Sequence, residues 1–498
     1  GIKPLYWHED RRRVLFASEV TAIVRGGLVP DEVGVEALAR FLEWGSVPSP
    51  LTTVKDVRAL PPGHILKIGV RGARAERYWD LGGAVEAARG TAPRAAADAV
   101  AATRELLEES VRLHLASDVP LGVFLSGGVD SSAVANLAQK ANRAPVHTFT
   151  LAFEEPEYNE GPMARRIAEA IGTQHREVVL SEQQVVAGLD GALDSLDQPT
   201  FDGLNSWYMS RAVRQAGFTV ALVGTGGDEL FGGYSSFRDL PRLQRWSRRL
   251  QWVPRAALQA GARALSSALR HPEGAIPPQT RWAKLPEMVR RGDDLIGLYQ
   301  LAYALFLPDF QGALIDGAAA ALVDGLPPAL HARLEEETRG RSPLSAISVL
   351  EQRLFLGERL LRDNDAASMA ASIEQRLPLV DQVLFETVSR LPDDARYQPV
   401  PQKAALRRAG LRGLDPALFD RPKSGFVLPF DRWIRRGLSP AIDRTLRDPA
   451  AVGAAGLHPP VVEKLWKAFL DGASGLYWSR VWAIYVLVRW CLRHGVRR

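Results

Sequence analysis

The stretch LGVFLSGGVDSSAV, residues 121–134, decides the fold. A short apolar run stops at Ser126-Gly127-Gly128 and resumes after Asp130 with the spacing of a helix. A strand that breaks at once into glycines and a helix is one step of a parallel α/β sheet, in which ligands gather beyond the carboxyl ends of the strands. Two glycines let the backbone turn tightly and approach a ligand, so the N–H groups of the loop and of the first helical turn face outward as an anion cradle. Ser126, Ser131 and Ser132 add hydroxyl donors. Asp130 would repel a bare phosphate; an acid here makes sense if it holds Mg²⁺ against the phosphate oxygens. No lysine follows the glycines, which excludes the Walker loop of ordinary NTPases.

Further along, apolar strands (GVFL, VHTFTLAF, HREVVL, TVALVG) alternate with helical stretches (SSAVANLAQKAN, MARRIAEAIG, NSWYMSRAVRQAG), the pattern of a parallel sheet covered by helices. The strand TVALVG ends in TGGDELFGGYSSF, a second glycine-rich turn carrying Asp228 and Glu229. Two strand ends, each with glycines and an acid, suit a metal-bridged polyphosphate. Beyond Tyr234 the pattern is mostly helical, and residues 241–345 contain no motif.

Toward the N-terminus, residues 1–80 read as strands and a short helix, broken by GSVPSPLTT and LPPGHILKI. RRVLFAS alternates as a half-buried strand does. Linker-like composition follows over residues 81–98, with a domain boundary expected near 81–95 and a second domain over 99–498. Because the chain opens on glycine and at once in strand, it is expected to begin inside a domain.

Composition sets bounds. The chain has 498 residues, is 46% hydrophobic, and carries a formal net charge of +5. A core large enough for two or three domains is available, and so small an excess of scattered positive charge gives no case for nucleic-acid binding. No run of about 18 uncharged apolar residues occurs, and no signal peptide opens the chain, so neither membrane spanning nor secretion is indicated. The single cysteine, Cys491, lies in an apolar segment and reads as core; a reducing, cytoplasmic setting fits.

LSGGVDSS resembles the pyrophosphate loop of ATP pyrophosphatases. The fuller set GIKPLYW, FASEV, VPSPLTT, LPPGH, RYWDL, VPLGVFLSGGVDSS, GTGGDELFGGY, DNDAASMAASIEQRLPLVD and RPKSGFVLPFDRW resembles the asparagine synthetase family. That resemblance implies an adenine-nucleotide α-hydrolase type of α/β fold with a largely helical C-terminal part, preceded by the end of a β-rich glutaminase domain. It also implies adenylation of the side-chain carboxylate of aspartate by ATP with Mg²⁺, then displacement of AMP by ammonia. Ser126, Gly127, Gly128, Asp130 and Ser131 would grip the pyrophosphate, and Asp130 and Asp228 would hold the metal. Leu125, Leu151, Val223 and Gly224 match positions near the nucleotide, and Lys423 of RPKSGF matches a lysine aimed at the phosphates. Partners would be small molecules, with neither nucleic acid nor membrane, and a homodimer is left open.

Two departures qualify the resemblance. The family's nucleophilic cysteine precedes the segment matching GIKPLYW, so this chain alone is not expected to hydrolyse glutamine. In addition, Thr225 stands where the family places a glutamate that serves in forming and attacking the adenylate. Threonine cannot act as a base near neutral pH. The β-lactam synthetases also lack this acid and rely in part on a glutamate in the segment matching ASIEQRLP, which makes Glu374 the expected base or amine-orienting group, with Thr225 shaping the acyl pocket. The alternatives are a relative that joins another carboxylate and amine, and a nucleotide-binding module without catalysis. Retention of Asp130, Asp228, Glu374 and Lys423 together argues against the latter. A pyrophosphatase acting on tRNA shares the loop but not GGDELFGGY.

Overall fold

The computed structural model describes residues 1–83, 96–250, 252–269, 283–315, 325–420, 428–473 and 475–498. Ten strands are seen among them. β1 (Tyr6–Glu9), β2 (Val14–Ala17) and β3 (Val57–Ala59) form an antiparallel sheet in the order β2-β1-β3, and β4 (His64–Gly69) pairs with β5 (Gly72–Arg77) as a hairpin. Both belong to the N-terminal part, where the sequence predicts strands. The predicted boundary falls largely on residues 84–95, outside the described residues, and the chain resumes with the helix Ala96–His114.

The second sheet positions the site. It contains β6 (Leu121–Phe124), β7 (His147–Phe153), β8 (Gln174–Leu180), β9 (Val220–Leu222) and β10 (Glu374–Arg376), all parallel, in the order β10-β9-β6-β7-β8. Apolar side chains are buried on both faces of β6, β7 and β9, as a sheet with helices on each side requires. Strand order reverses between β6 and β9, which opens the crevice where doubly wound sheets bind ligands. The two glycine-rich turns leave the sheet from these two neighbours. β10 was not expected: three polar residues in a row, Glu374-Gln375-Arg376, carry no strand signature, and they pair only because β9 offers a free edge.

The N-terminal part does not stand apart from the rest. Tyr6, Val20 and Phe41 share one core cluster with Trp433, Trp466 and Trp482 of the C-terminal helices. The N–H groups of Val20 and Thr21 donate to the buried Asp197 carboxylate, each at 2.9 Å. Cys491 lies in that core, and burial pushes its thiol up to about 12, as its apolar surroundings lead one to expect.

Candidate active site

The first loop is organised by its own serines. The N–H of Ser126 donates to Ser131 Oγ at 3.1 Å, Ser132 Oγ donates to the Gly128 carbonyl at 2.7 Å, and Gly128 stands as N-cap of the helix Val129–Ala141. The loop is therefore folded back on the helix start and presents Asp130 to the crevice. Leu125 is fixed from below, its N–H donating to the Phe149 carbonyl at 2.8 Å and its own carbonyl accepting from Thr150 Oγ1.

The second loop packs directly on the first. A Cβ at Gly224 would stand 2.6 Å from the Ser131 nitrogen, one at Gly227 would press onto the Asp130 carboxylate, and one at Gly233 would overlap the Asp228 carboxylate. Close approach, more than turn geometry, is what these glycines supply. Gly226, at φ +106, makes the turn itself.

Between the loops sits a residue the sequence reading passed over. Lys403 Nζ donates to both Asp130 oxygens, each at 2.7 Å, and lies 2.7 Å from Asp228 Oδ1. The ammonium is buried, and the two carboxylates raise its pKa despite the burial that opposes this. Lys403 caps the helix Ala404–Gly410 and holds a left-handed φ of +52, strained for a lysine. That helix is clamped onto the one behind the loop: a Cβ at Gly410 would meet Ala133 Cβ at 2.6 Å, and Asn136 Nδ2 donates to the Gly410 carbonyl at 2.7 Å. A short clue existed in the sequence, since lysine is scarce in this arginine-rich chain and Lys403 heads an apolar helical run.

Above the loops opens a cavity of about 400 Å³. Leu125, Ser126, Asp130, Ser131, Leu151, Val223, Gly224, Thr225 and Asp228 line it, while Gly127 and Gly128 form the loop behind. Its far wall is made by Asp202, Asn205, Ser206, Asp363 and Asn364. Arg359 reaches Asp202 at 3.5 Å, and Thr200 Oγ1 donates to the buried Asp363 at 2.7 Å.

Glu229 also reaches the cavity, and its environment differs from that of Asp228 beside it. Burial first, then the neighbouring Asp228 charge, push it up to about 8, with Tyr234 Oη donating to it at 2.8 Å. Burial and the Asp228 charge thus both favour the neutral form of Glu229. Behind it, on a wide-turned helical stretch Glu351–Leu360, Glu351 is buried against Ser236, Tyr299 at 2.9 Å and Tyr303 at 2.8 Å, and burial pushes it up to about 7. Irregular turns of this kind collect at functional sites.

Glu374 is not among the described residues that line the cavity. It opens β10, level with Val220 and hence with Leu121, at the amino end of the sheet, whereas the loops leave the carboxyl ends. Its carboxylate pairs with Arg376 at 2.9 Å and is half exposed; Arg376 in turn donates to the carbonyls of His114 and Ala116 at 2.9 and 2.6 Å. Its neighbour Gln375, on the opposite side of the strand, lines the cavity instead. Lys423 lies outside the described residues.

Comparison with known proteins gives the same picture. A model of the asparagine synthase family matches residues 102–492, and one of the glutamine amidotransferase domain matches residues 1–79. Putative asparagine synthetases (glutamine-hydrolyzing) of Mycobacterium bovis and Mycobacterium tuberculosis are 31% identical over 88% of this chain, which spans 65% of their length. Asparagine synthetase 1 of Bacillus subtilis is 25% identical over 98% of this chain and 73% of its own length. An amidase of Penicillium rubens is 27% identical over 82% of this chain and 62% of its own.

Proposed function

Because the chain belongs to the asparagine synthase family, we propose that it is an ATP-dependent amide ligase that adenylates a carboxylate, most simply L-aspartate, and transfers ammonia to it with release of AMP and pyrophosphate. The observation that carries this reading is the convergence of the two glycine loops on Asp130, Lys403 and Asp228 at the sheet's reversal point.

The carboxylate pair already holds one cation between its oxygens, so its charge and hard donors suit Mg²⁺ as well. Bound with ATP, Mg²⁺ at Asp130 and Asp228 would neutralise the pyrophosphate oxygens. The chain's own groups do the rest. Backbone N–H groups of the Ser126–Gly128 loop and the Ser126 hydroxyl hold the leaving pyrophosphate. Lys403 donates to the oxygens on which charge grows as the carboxylate attacks the α-phosphate, and Lys423 joins it there. Glu229, whose neutral form burial favours, adds little charge at a point where a third carboxylate would repel the triphosphate. Leu125, Leu151, Val223 and Gly224 pack the nucleoside.

A second reading is favoured by Thr225 and by the far wall. Where a glutamate would face the acyl group stands a hydroxyl, and the wall beyond offers Asp202, Asp363 and two asparagines. Such a wall suits a substrate with amine or amide groups, which favours a relative joining another carboxylate and amine. Either product is reached through the same first half-reaction. Pyrophosphate exchange into ATP, measured on the purified chain with Mg²⁺ over a panel of carboxylates, tests both. Aspartate-dependent exchange followed by asparagine formation with free ammonia supports the first; exchange with another acid only supports the second. Absence of exchange with every acid would leave nucleotide binding without ligation.

A further inference from the structure

A basic, tryptophan-tipped turn lies far from the cavity. The helices Ser236–Arg249 and Arg255–Leu269 meet at a turn where Trp246 is 60% exposed, Trp252 86% and Leu250 39%. Val253 is exposed beside them. Around them stand the exposed Arg242, Arg245, Arg248, Arg249 and Arg255, and no acid occurs in the sequence between Asp239 and Glu273. Arg249 lies over the Trp246 ring at 5.8 Å, and among the described residues Arg248 pairs with an acid, Asp293 at 3.4 Å. The first helix keeps its apolar face, Phe237 and Leu240, in the core. The tryptophans are therefore not that face spilling outward; they are a separate apolar tip set among guanidinium groups.

We propose that this turn docks the protein on the surface of an anionic lipid bilayer. Indole rings and short aliphatic side chains settle at the headgroup level, while arginines lay their stems along the apolar zone and pair their heads with lipid phosphates. Charge complementarity selects this occupant: five exposed arginines with a single acid, Asp293, paired to one of them call for a continuous negative surface. The aliphatic Leu250 and Val253 beside the tryptophans suit acyl chains and would stack no bases, which favours lipid over a nucleic acid. No helix among the described residues is long and apolar enough to cross a membrane, so the contact is one of surface attachment. The same helix begins beside Tyr234 and Ser236 at the catalytic wall, roughly 20 Å away along its axis.

The test is co-sedimentation of the full chain with vesicles of phosphatidylglycerol and phosphatidylcholine, against phosphatidylcholine alone. Binding at least tenfold tighter to the anionic vesicles is expected. Trp246→Ser with Trp252→Ser should weaken it about tenfold, and Arg242→Gln, Arg245→Gln and Arg249→Gln together about a hundredfold. Unchanged pyrophosphate exchange shows that a variant is folded. Quenching of the parent's tryptophan emission by brominated lipid gives a readout that needs no variant. The proposal is overturned if anionic vesicles fail to bind or quench, or if the tryptophan variants bind as the parent does. It is also overturned if those variants turn a dimer into a monomer, or if an oligonucleotide binds tighter through the same residues.

Discussion

The two ends of the five-stranded parallel sheet carry acids in opposite situations. At the carboxyl end, Asp130 and Asp228 are drawn together around a buried ammonium by glycines that permit contact. At the amino end, Glu374 sits half exposed with Arg376, an ordinary strand-edge pair. The difference teaches that the chemistry of an acid here follows from which end of a strand it occupies. A parallel sheet points every strand's loop the same way, so residues on the strand's first position are directed away from the crevice whatever motif surrounds them.

The largest effect expected from breaking this contrast is at Lys403. Lys403→Ala removes the buried ammonium that bridges two part-buried carboxylates, which should cost about 3 kcal/mol of stability. It should also lower pyrophosphate exchange by roughly 10³-fold. The vacated pair becomes a better divalent site, so urea denaturation of this variant should shift to higher midpoint with added Mg²⁺ far more than that of the parent. Exchange within tenfold of the parent, in a variant that remains folded, would remove Lys403 from the phosphate site.

Much of the carboxyl end was legible in advance. Strand periodicity, paired glycines and an acid after each pair identify two loops of one sheet, because those features arise from local backbone need. Lys403 was not legible, since its place depends on the left-handed φ and on a helix clamped through Gly410 and Asn136, contacts between segments over 270 residues apart in sequence. The position of Glu374 was not legible for a related reason. A motif fixes which residue is present, while its strand's register against Val220 fixes where the side chain goes.

A middle-sized effect should appear at Glu229, which sharpens the comparison by adding a buried acid with no cation paired to it among the described residues. Its folded pKa, about 8, lies above the usual carboxylate value of 4.5. Between those values the folded protein keeps a proton that the unfolded chain has lost, so stability falls as pH rises through the window. Below 4.5 both states are protonated and the cost vanishes. Glu229→Gln removes the ionisable group, so its stability relative to the parent should rise from pH 4.5 to 8, by roughly 2–5 kcal/mol. Urea unfolding at pH 5 and pH 8 measures this, and a pH-independent difference would show that Glu229 is not held neutral.

The smallest effect is expected at Glu374. Removing its charge breaks a half-exposed pair with Arg376, worth at most about 1 kcal/mol. Arg376 keeps its two carbonyl acceptors, His114 and Ala116, so β10 stays tied to the chain ahead of β6. Glu374→Gln should therefore leave both pyrophosphate exchange and amide formation within about twofold of the parent. A variant that exchanges normally yet forms no amide would return Glu374 to the amine-handling role the motif suggests. That result would require β10 to reach the crevice in the liganded protein. Loss of both activities together would instead mark the Arg376 tether as what holds β9, and with it Asp228, in register.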